Sequence, residues 1–302
     1  MRKFFTFIFD GKLLPIVLVS LLCSFSGNAW GQATIQPSTT YSQNFDGIGV
    51  TATAAMPTGW KVDKNTTVRT LGTYAAAVTA TEQIGGNTMS TSAGNGIYNF
   101  GAGVAASATD RAVGGISSSS ASKSVNVYLA LTNNGVGVIP GFTISFDVEK
   151  YRNGSNAAGF SMQMYYSTDG STWTSAGAGF VGSFAADADN TGYASAPGSF
   201  VSITSKSLAQ TLAAGSTLYL AWNYSVTTGT TSSNAQALGL DNVSIVALDT
   251  PTAINTPSAN AKLVKTTYFT IGGVEVAAPA KGLYIEKNIY DDGAIVTRKL
   301  VK

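Results

Sequence analysis

The sequence predicts an all-β fold, a β-sandwich followed by a small C-terminal β domain, and three observations support this. Only 11% of the 302 residues are charged, and Gly, Ser, Thr, Ala and Asn crowd the segments between apolar stretches. Several apolar stretches alternate with a period of two residues, the spacing of side chains along a β-strand. Turn-forming residues separate these stretches. Helical periodicity is confined to a short stretch near 207–212.

The alternation of apolar residues is clearest in four segments. They are residues 125–131, 142–148, 160–164 and 218–224. Each segment predicts a strand with one buried face and one solvated face. The fourth segment carries the largest side chains, Trp222 among them, so we expect it to cross the middle of the core.

The last strand of the large domain changes phase. Leu238 and Leu240 occupy one parity, whereas Val243 and Ile245 occupy the other. One extra residue must therefore be accommodated between the two pairs. This predicts a β-bulge at 241–242, a feature that redirects a side chain.

The N-terminus has the layout of a secretory signal peptide. A basic start precedes an apolar run, 13–25, that ends in small and polar residues. The run is too short to cross about 30 Å of hydrocarbon, and Pro15 interrupts it. We expect cleavage after Gly31, which removes residues 1–31, leaves no transmembrane segment in the mature chain and places it outside the cell or on its outer surface.

The charged residues and the missing residue types exclude several classes of function. Removing residues 1–31 takes three of the 18 basic and one of the 16 acidic residues, which leaves 15 of each. A neutral chain lacks the basic field that nucleic acid requires. The sequence has no histidine, and its one cysteine, Cys23, leaves with the signal peptide. Zinc sites of the Cys and His type, Cys-His and Ser-His-Asp catalysis, and disulfides are therefore excluded.

Composition also divides the mature chain into domains. Residues 32–248 form the predicted sandwich, and the Pro- and Thr-rich segment 249–261 reads as a linker. Residues 262–302 contain two hairpin patterns, one around Gly272-Gly273 and one around 291–293. They form the predicted small C-terminal β domain.

The large domain resembles a jelly-roll β-sandwich module of exported bacterial proteins, which often accompanies endonuclease/exonuclease/phosphatase-type domains. The matching residues are 44–46 (NFD), 56–60 (MPTGW), 96–101 (GIYNFG), 110–115 (DRAVGG), 166–169 (YSTD), 218–222 (LYLAW) and 239–245 (GLDNVSI). The resemblance implies a jelly-roll fold and an extracellular setting. It implies no defined activity, and no nuclease-type domain accompanies the module in this sequence.

The tail is similar to the C-terminal sorting domain of type IX secretion in Bacteroidetes. The matching residues are Tyr268, 272–276 (GGVEV), Pro279, 281–285 (KGLYI) and 299–302 (KLVK), with Gly273 where an arginine is common. The resemblance implies export across the outer membrane by the type IX secretion machinery. It also implies cleavage of the tail, followed by release or by attachment to surface glycolipid.

Asp46 and Asp241 are candidate ligands of a structural calcium ion. Asp46 follows the first predicted strand and Asp241 lies in the last, and the terminal strands of jelly-roll sandwiches often share a sheet. Two carboxylates and backbone carbonyls of the bulge would suit Ca²⁺, which takes six to eight oxygen ligands. The alternative is that Asp241 hydrogen-bonds its own turn while Asp46 caps a strand end.

Four aromatic residues are candidates for stacking against a sugar ring: Trp60, Trp173, Tyr165 and Tyr151. Some of them fall off the buried parity of their strands, and jelly rolls commonly bind glycans through exposed aromatic faces. The alternative for each residue is a place in the core, where most aromatic residues of a sandwich lie.

The sequence therefore favours a secreted or surface-located, non-catalytic binding or adhesion module whose partner is extracellular polysaccharide or a surface glycan. A structural matrix protein without a discrete ligand is the alternative. A carboxylate-based hydrolase ranks third, because Asp147 and Glu149 share one strand face but form no opposed pair. We interpret Asp110-Arg111 as an ion pair or as a buried arginine that ties down a loop.

Overall fold

The structure is a computed structural model that describes residues 32–249 and 257–302. The predicted signal peptide, 1–31, and residues 250–256 of the predicted linker lie outside the described residues. The chain divides into two compact units between Asp249 and Thr250. In chain order the strands are β1 (Ala33–Ile35), β2 (Thr40–Gln43), β3 (Trp60–Asn65), β4 (Gln83–Gly85), β5 (Gly96–Gly101), β6 (Arg111–Ile116), β7 (Ser124–Asn133), β8 (Phe142–Arg152), β9 (Phe160–Ser167), β10 (Thr174–Ser175), β11 (Val181–Phe184), β12 (Ser199–Leu208), β13 (Thr217–Val226), β14 (Ala237–Ala247), β15 (Leu263–Thr270), β16 (Glu275–Val276), β17 (Leu283–Tyr290) and β18 (Ile295–Val301). Short 3-10 turns occupy Asp46–Ile48 and Ala178–Phe180.

The first unit is a sandwich of two seven-stranded sheets. Sheet A has the order β1-β7-β13-β9-β10, with β3 also paired to β7 and β11 also paired to β9. Sheet B has the order β12-β8-β14-β6-β5-β4, with β2 also paired to β14. The predicted all-β jelly-roll sandwich is confirmed.

The core between the sheets is built from the alternating residues, and aromatic rings fill its centre. The ring of Trp222 in sheet A meets Phe146 of sheet B edge to face, with centroids 5.8 Å apart. Trp60 stacks on Trp222 at 5.5 Å and meets Phe45 at 4.8 Å. The sequence prediction that Trp222 crosses the middle of the core is confirmed.

The prediction of one solvated face per strand is wrong for β7 and β13. Asn126 and Tyr128 of β7 are fully buried, and so are Ala221 and Asn223 of β13. The cause is a segment, residues 66–79, that lies over the outer face of sheet A and that we name the strap. Its backbone is held by hydrogen bonds from the strands, so polar side chains on that face are buried but satisfied.

The predicted bulge is confirmed, and the predicted helical stretch near 207–212 is wrong. Asp241 pairs with Asp147 and Ser244 with Ser145, so β14 contains one residue more than β8 across this interval. Asn242 absorbs the extra residue with a left-handed φ of 50°. Strand β12 continues to Leu208, and beyond it Leu212 forms a bridge to Ile139 in place of a helix.

The second unit is a four-stranded sheet with the order β16-β15-β17-β18. Strands β15 and β16 form one antiparallel hairpin, and β17 and β18 form the other. Both predicted turns lie between paired strands, and Gly273 has a left-handed φ of 80°. Within the described residues, the structure contains no helix long and apolar enough to cross a membrane.

Candidate functional site

An open groove of about 760 Å³ runs along the β3 edge of sheet A, and we name it the edge groove. It is lined by residues 55–61 and 77–79 together with Gln32 and Tyr74. Two contacts hold its walls together: Met56 N donates to Thr79 O, and Val62 forms a bridge to Val78. The described lining residues include neither Asp nor Glu.

Tyr74 and Lys61 form the polar end of the edge groove. The Lys61 ammonium lies 4.7 Å from the centroid of the Tyr74 ring and donates to the carbonyl oxygen of Tyr74 at 3.1 Å. The Tyr74 hydroxyl donates to Gly59 O at 3.0 Å, which fixes the ring across the groove. Burial raises the pKa of Tyr74 to about 12, so its hydroxyl keeps its proton at neutral pH.

Tyr74 also belongs to a half-buried aromatic surface on the outer face of sheet A, formed with Tyr165, Trp173 and Tyr219, which we name the aromatic face. Tyr165 and Trp173 both pack against buried Tyr128 and Ala221. The structure thus brings together two of the four aromatic residues predicted from sequence. Tyr219 joins them because its ring lies 5.1 Å from that of Tyr74.

Trp173 is held by the strap and by the predicted hairpin. Its indole N–H donates to Gly72 O at 2.8 Å. The hairpin before it closes on Asp169, whose carboxylate accepts the backbone N–H groups of Ser171 and Thr172. Those hydrogen bonds hold the pKa of Asp169 well below its usual range.

The other two predicted aromatic residues do not face solvent, which corrects their assignment. Trp60 is 1% exposed because it shares the inward parity of β3 with Val62, stacks on Trp222 and donates its indole N–H to the Tyr41 hydroxyl. Tyr151 is fully buried, because it stacks on Phe100 with centroids 4.5 Å apart. Neither ring is exposed enough to stack on a sugar, although Trp60 is one of the residues that line the edge groove.

Tyr74 and Lys61 were not singled out by sequence reasoning. Tyr74 lies in the strap, where residues 71–77 show no alternation that would assign a face. Its only signal is an aromatic residue in a segment otherwise rich in Gly, Ala and Thr.

A second candidate site lies in sheet B, where Asp46, Asp110, Glu149 and Asp241 form what we name the acidic cluster. Asp241 is 1% exposed and Glu149 is 7% exposed, whereas Asp46 and Asp110 face solvent. The buried carboxyls therefore form the base of the cluster and the exposed ones its rim.

Sheet topology explains the acidic cluster. The edge of β14 is shared, because residues 238–240 pair with β6 and residues 243–246 pair with β2. The bulge lies at the change of partner, where no neighbouring strand covers Asp241 on that side. The chain after β2 brings Asp46 to this point, and its carboxylate accepts the backbone N–H of Arg111 at 3.0 Å, beside Asp110.

The two buried carboxyl groups of the acidic cluster, Asp241 and Glu149, have raised pKa values. Burial, together with the charges of Glu149, Asp110 and Asp46, raises the pKa of Asp241 to about 8. Burial and neighbouring carboxylates raise the pKa of Glu149 to about 7, although the Tyr151 hydroxyl donates to Glu149 at 2.6 Å. Asp241 Oδ1 is buried and has no hydrogen-bond partner within the described part of the chain.

The structure thus places Asp46 and Asp241 in the same cluster. The described residues nevertheless contain no group of three or more Asp, Glu, His or Cys side chains arranged to hold a metal ion. The two predicted ligands form a pair of carboxylates in this cluster, with Asp46 on its exposed rim and Asp241 at its buried base.

Arg111 is a buried clamp, as one of the two interpretations from sequence held. Its guanidinium donates to Ala105 O and Ala108 O, which ties down the loop before β6, and to Asn99 Oδ1 at 2.6 Å. All of its side-chain hydrogen bonds go to carbonyl-type oxygens, so it does not form an ion pair with Asp110.

The two acids considered for hydrolysis are engaged in structural contacts. Asp147 lies opposite Asp241 and accepts hydrogen bonds from Ser202 and Asn242. Glu149 is buried on the same strand face, two residues further along β8.

Comparisons with known proteins give a distant likeness only. No protein-family model matches the chain, and no curated protein matches it. The CBM22-1 xylan-binding domain of Xyn10C from Paenibacillus barcinonensis matches at a TM-score of 0.33 and 10% identity, covering 72% of this chain and 99% of that one. The K3 cleaved adhesin domain of Lys-gingipain from Porphyromonas gingivalis W83 matches at 0.33 and 15%, covering 68% and 98%. Likenesses this distant carry no argument about what this chain does.

Proposed function

We propose that the first unit is a non-catalytic extracellular binding module that takes a neutral polysaccharide in the edge groove and along the aromatic face. The observation that carries this proposal is the groove itself. It is open, apolar and bordered by Tyr74, and Gln32, Thr58 and Lys61 supply a few hydrogen-bonding groups. Sites for neutral sugars combine apolar surface with a small number of polar groups in this way.

The chemistry of the groove favours binding over turnover. Hydrolysis of a glycosidic bond requires two carboxyl groups on opposite sides of the bond. The described groove lining supplies no carboxyl group, and of the two acids considered for hydrolysis Asp147 is hydrogen-bonded and Glu149 is buried. Lys61 is the one charged residue among the described lining residues, and it contacts Tyr74.

A glycan array and pull-down on insoluble polysaccharides test the proposal. Val78 is 53% exposed in the groove, so Val78→Asp should place a carboxylate there without disturbing the core and should weaken retention at least about tenfold. Val136→Asp is the matched control, since Val136 is fully exposed in a loop outside the groove lining.

Aromatic truncations extend the test to the aromatic face. Trp173→Ala and Tyr74→Ala should each weaken binding about tenfold, and Phe200→Ala, at an exposed ring in sheet B, should not. If the unaltered chain binds to none of the polysaccharides, the result favours the alternative function, a structural matrix protein. If it degrades a glycan and Asp147→Asn or Glu149→Gln abolishes this, the protein is a hydrolase.

We also propose a structural calcium ion at the acidic cluster, with Asp46 and Asp241 as its carboxylate ligands. The unpartnered buried oxygen of Asp241 supports the proposal, because a buried polar atom without a partner is costly and a cation would satisfy it. Carboxylate oxygens are the ligands that Ca²⁺ prefers.

Thermal unfolding in EDTA and in calcium tests this second proposal. Calcium at about a hundredfold above its Kd should raise Tm by about 5–10 °C. Asp241→Asn should remove most of the increase, and Asp189→Asn, in an exposed loop, should leave it intact. Equal Tm values with and without calcium would exclude the ion.

For the second unit we propose the role that its sequence resemblance implies, a sorting signal for export by the type IX machinery. In this proposal the mature first unit is released or surface-attached after the tail is removed. Mass spectrometry of culture medium and cell envelope would find peptides of residues 32–248 without residues 262–302. Recovery of the chain inside the cell with its N-terminus intact would contradict both export signals.

A further inference from the structure

The second unit exposes aliphatic side chains on one face of its sheet. Leu283, Ile285 and Ile295 are each 40–44% exposed, and Val301 is 72% exposed. A sheet of this size gains stability when a hydrophobic face packs against another surface, whereas these four side chains are exposed within the described residues.

Strand register determines which residues share that face. Residues directly opposite in antiparallel strands lie on the same side, and residues alternate along each strand. Phe269, Ile285 and Lys299 are opposite one another, as are Thr267, Lys287 and Thr297, and Lys265, Ile289 and Ile295. Leu283 and Val301 complete the set. We name these eleven residues the cationic face.

Three lysines are distributed evenly over the cationic face. Lys265, Lys287 and Lys299 each lie on a different strand, and each has an aliphatic neighbour on the face. Ile289 is opposite Lys265, Ile285 and Ile289 flank Lys287, and Val301 follows Lys299 along its strand. The acidic residue of the central strand, Glu286, lies on the opposite face, where it pairs with Arg298 at 2.9 Å. Among the described residues of this sheet, the one carboxylate side chain in register with the cationic face is Glu275, at its margin on β16.

We propose that the cationic face docks on an anionic lipid surface. Aliphatic side chains enter the headgroup boundary while lysines between them meet lipid phosphates, the arrangement that binds surfaces by apolar burial and charge together. This proposal concerns the second unit and is independent of the polysaccharide site.

Two observations favour a lipid surface over other occupants. A second copy would set three lysines against three lysines, which is unfavourable. Three strands of about seven residues cover a flat area of roughly 300 Å², which is small for a standard protein interface, where each partner buries roughly 800 Å² of accessible surface. Binding to a lipid surface has no such minimum area, because each buried side chain and each lysine adds to it separately.

Vesicle co-sedimentation of the chain from Gln32 to Lys302 tests the proposal. The chain should sediment with vesicles containing about 30% phosphatidylglycerol and remain in solution with pure phosphatidylcholine, in about 0.1 M salt. Lys265→Glu with Lys287→Glu and Lys299→Glu should lower the partition coefficient at least about tenfold. Ile285→Ser with Val301→Ser, which keeps every charge, should lower it about three- to tenfold.

The matched control carries the same change in charge away from the face: Lys123→Glu with Lys206→Glu and Lys302→Glu, of which Lys302 alternates with Val301 and so lies on the opposite side of the sheet. Circular dichroism of each variant verifies that the sheet is retained. If the control loses as much binding as the face variant, net charge drives the association and the proposal is overturned. The proposal is also overturned if the unaltered chain does not sediment with the anionic vesicles. This includes the case in which the chain binds an acidic protein but no vesicle.

Discussion

The two units of this chain differ in how many apolar side chains they bury. In the first unit, aromatic and aliphatic residues such as Trp60, Trp222 and Phe146 are almost completely buried. In the described part of the second unit, Ala294 is the only buried apolar residue, whereas Thr267, Glu286 and Asn288 are buried polar ones. Apolar burial is the main source of folding free energy. The first unit therefore contains its own stabilising core, and the second relies on strand pairing, polar contacts and whatever covers its cationic face.

The largest expected effect is the loss of a core ring in the first unit. Trp60→Ala removes contacts with Trp222 and Phe45 and leaves the Tyr41 hydroxyl without its donor. We expect it to lower the free energy of unfolding by about 3–5 kcal/mol, measured by chemical denaturation.

Phe200→Ala is the control for that variant, because Phe200 is 64% exposed in β12. It should change stability by less than about 0.5 kcal/mol. If Trp60→Ala is as stable as this control, Trp60 lies at the surface, as the sequence-based sugar site required. The contrast in apolar burial between the two units would then be weaker.

Protonation of the acidic cluster should change the free energy of unfolding by a smaller amount. The pKa values of Asp241, about 8, and Glu149, about 7, exceed the ordinary values of these groups, about 3.8 and about 4.5. Between about pH 4 and pH 8 the folded state therefore binds more protons than the unfolded state, so stability falls as pH rises. In calcium-free buffer we expect a loss of about 2 kcal/mol between about pH 5 and pH 8.5.

Two variants separate the cluster from the rest of the chain. Asp241→Asn should flatten most of the pH dependence, because the amide carries no charge at any pH. Asp169→Asn should leave it unchanged, since the pKa of Asp169 is lowered by backbone hydrogen bonds and this group titrates below the window. Stability that rises between about pH 5 and pH 8.5 would show that the cluster is ionised in the folded state.

The sequence predicted those parts of the fold that depend on local alternation. The period-two segments became β7, β8, β9 and β13, and the phase change between Leu240 and Val243 placed the bulge correctly. The second face of β7 was mispredicted because its cover, the strap, is a long-range contact made by a segment without periodicity. Alternation reports which residues share a face, but it does not report what covers the other face.

The candidate sites were predictable to a lesser degree. Pairing of β2 with β14, the first and last strands of sheet B in chain order, was expected, and it brings Asp46 to the cluster of Asp241. The arrival of Asp110 beside them depends on sheet order and on the loop that Arg111 clamps. Trp60 was misassigned although Val62, two residues later, shares its parity and is buried. The edge groove forms between residues 55–61 and 77–79, and no pattern in the sequence indicates that these two segments lie side by side.

The smallest expected effect concerns the left-handed backbone conformation at the bulge. In the first unit an asparagine adopts this conformation, whereas in the second unit a glycine does so in a hairpin turn. Asn242 has φ 50° and donates to Asp147 at 3.0 Å, while Gly273 has φ 80° in a hairpin turn. Asn242→Ala should cost about 1 kcal/mol, because alanine tolerates a left-handed φ less well than asparagine and cannot donate the hydrogen bond. Asn242→Gly should cost less than about 0.5 kcal/mol, since glycine adopts this φ freely and only the exposed hydrogen bond is lost. Thermal melts of both variants distinguish the causes: equal losses would mean that the hydrogen bond to Asp147, and not the backbone conformation, determines the identity of this residue.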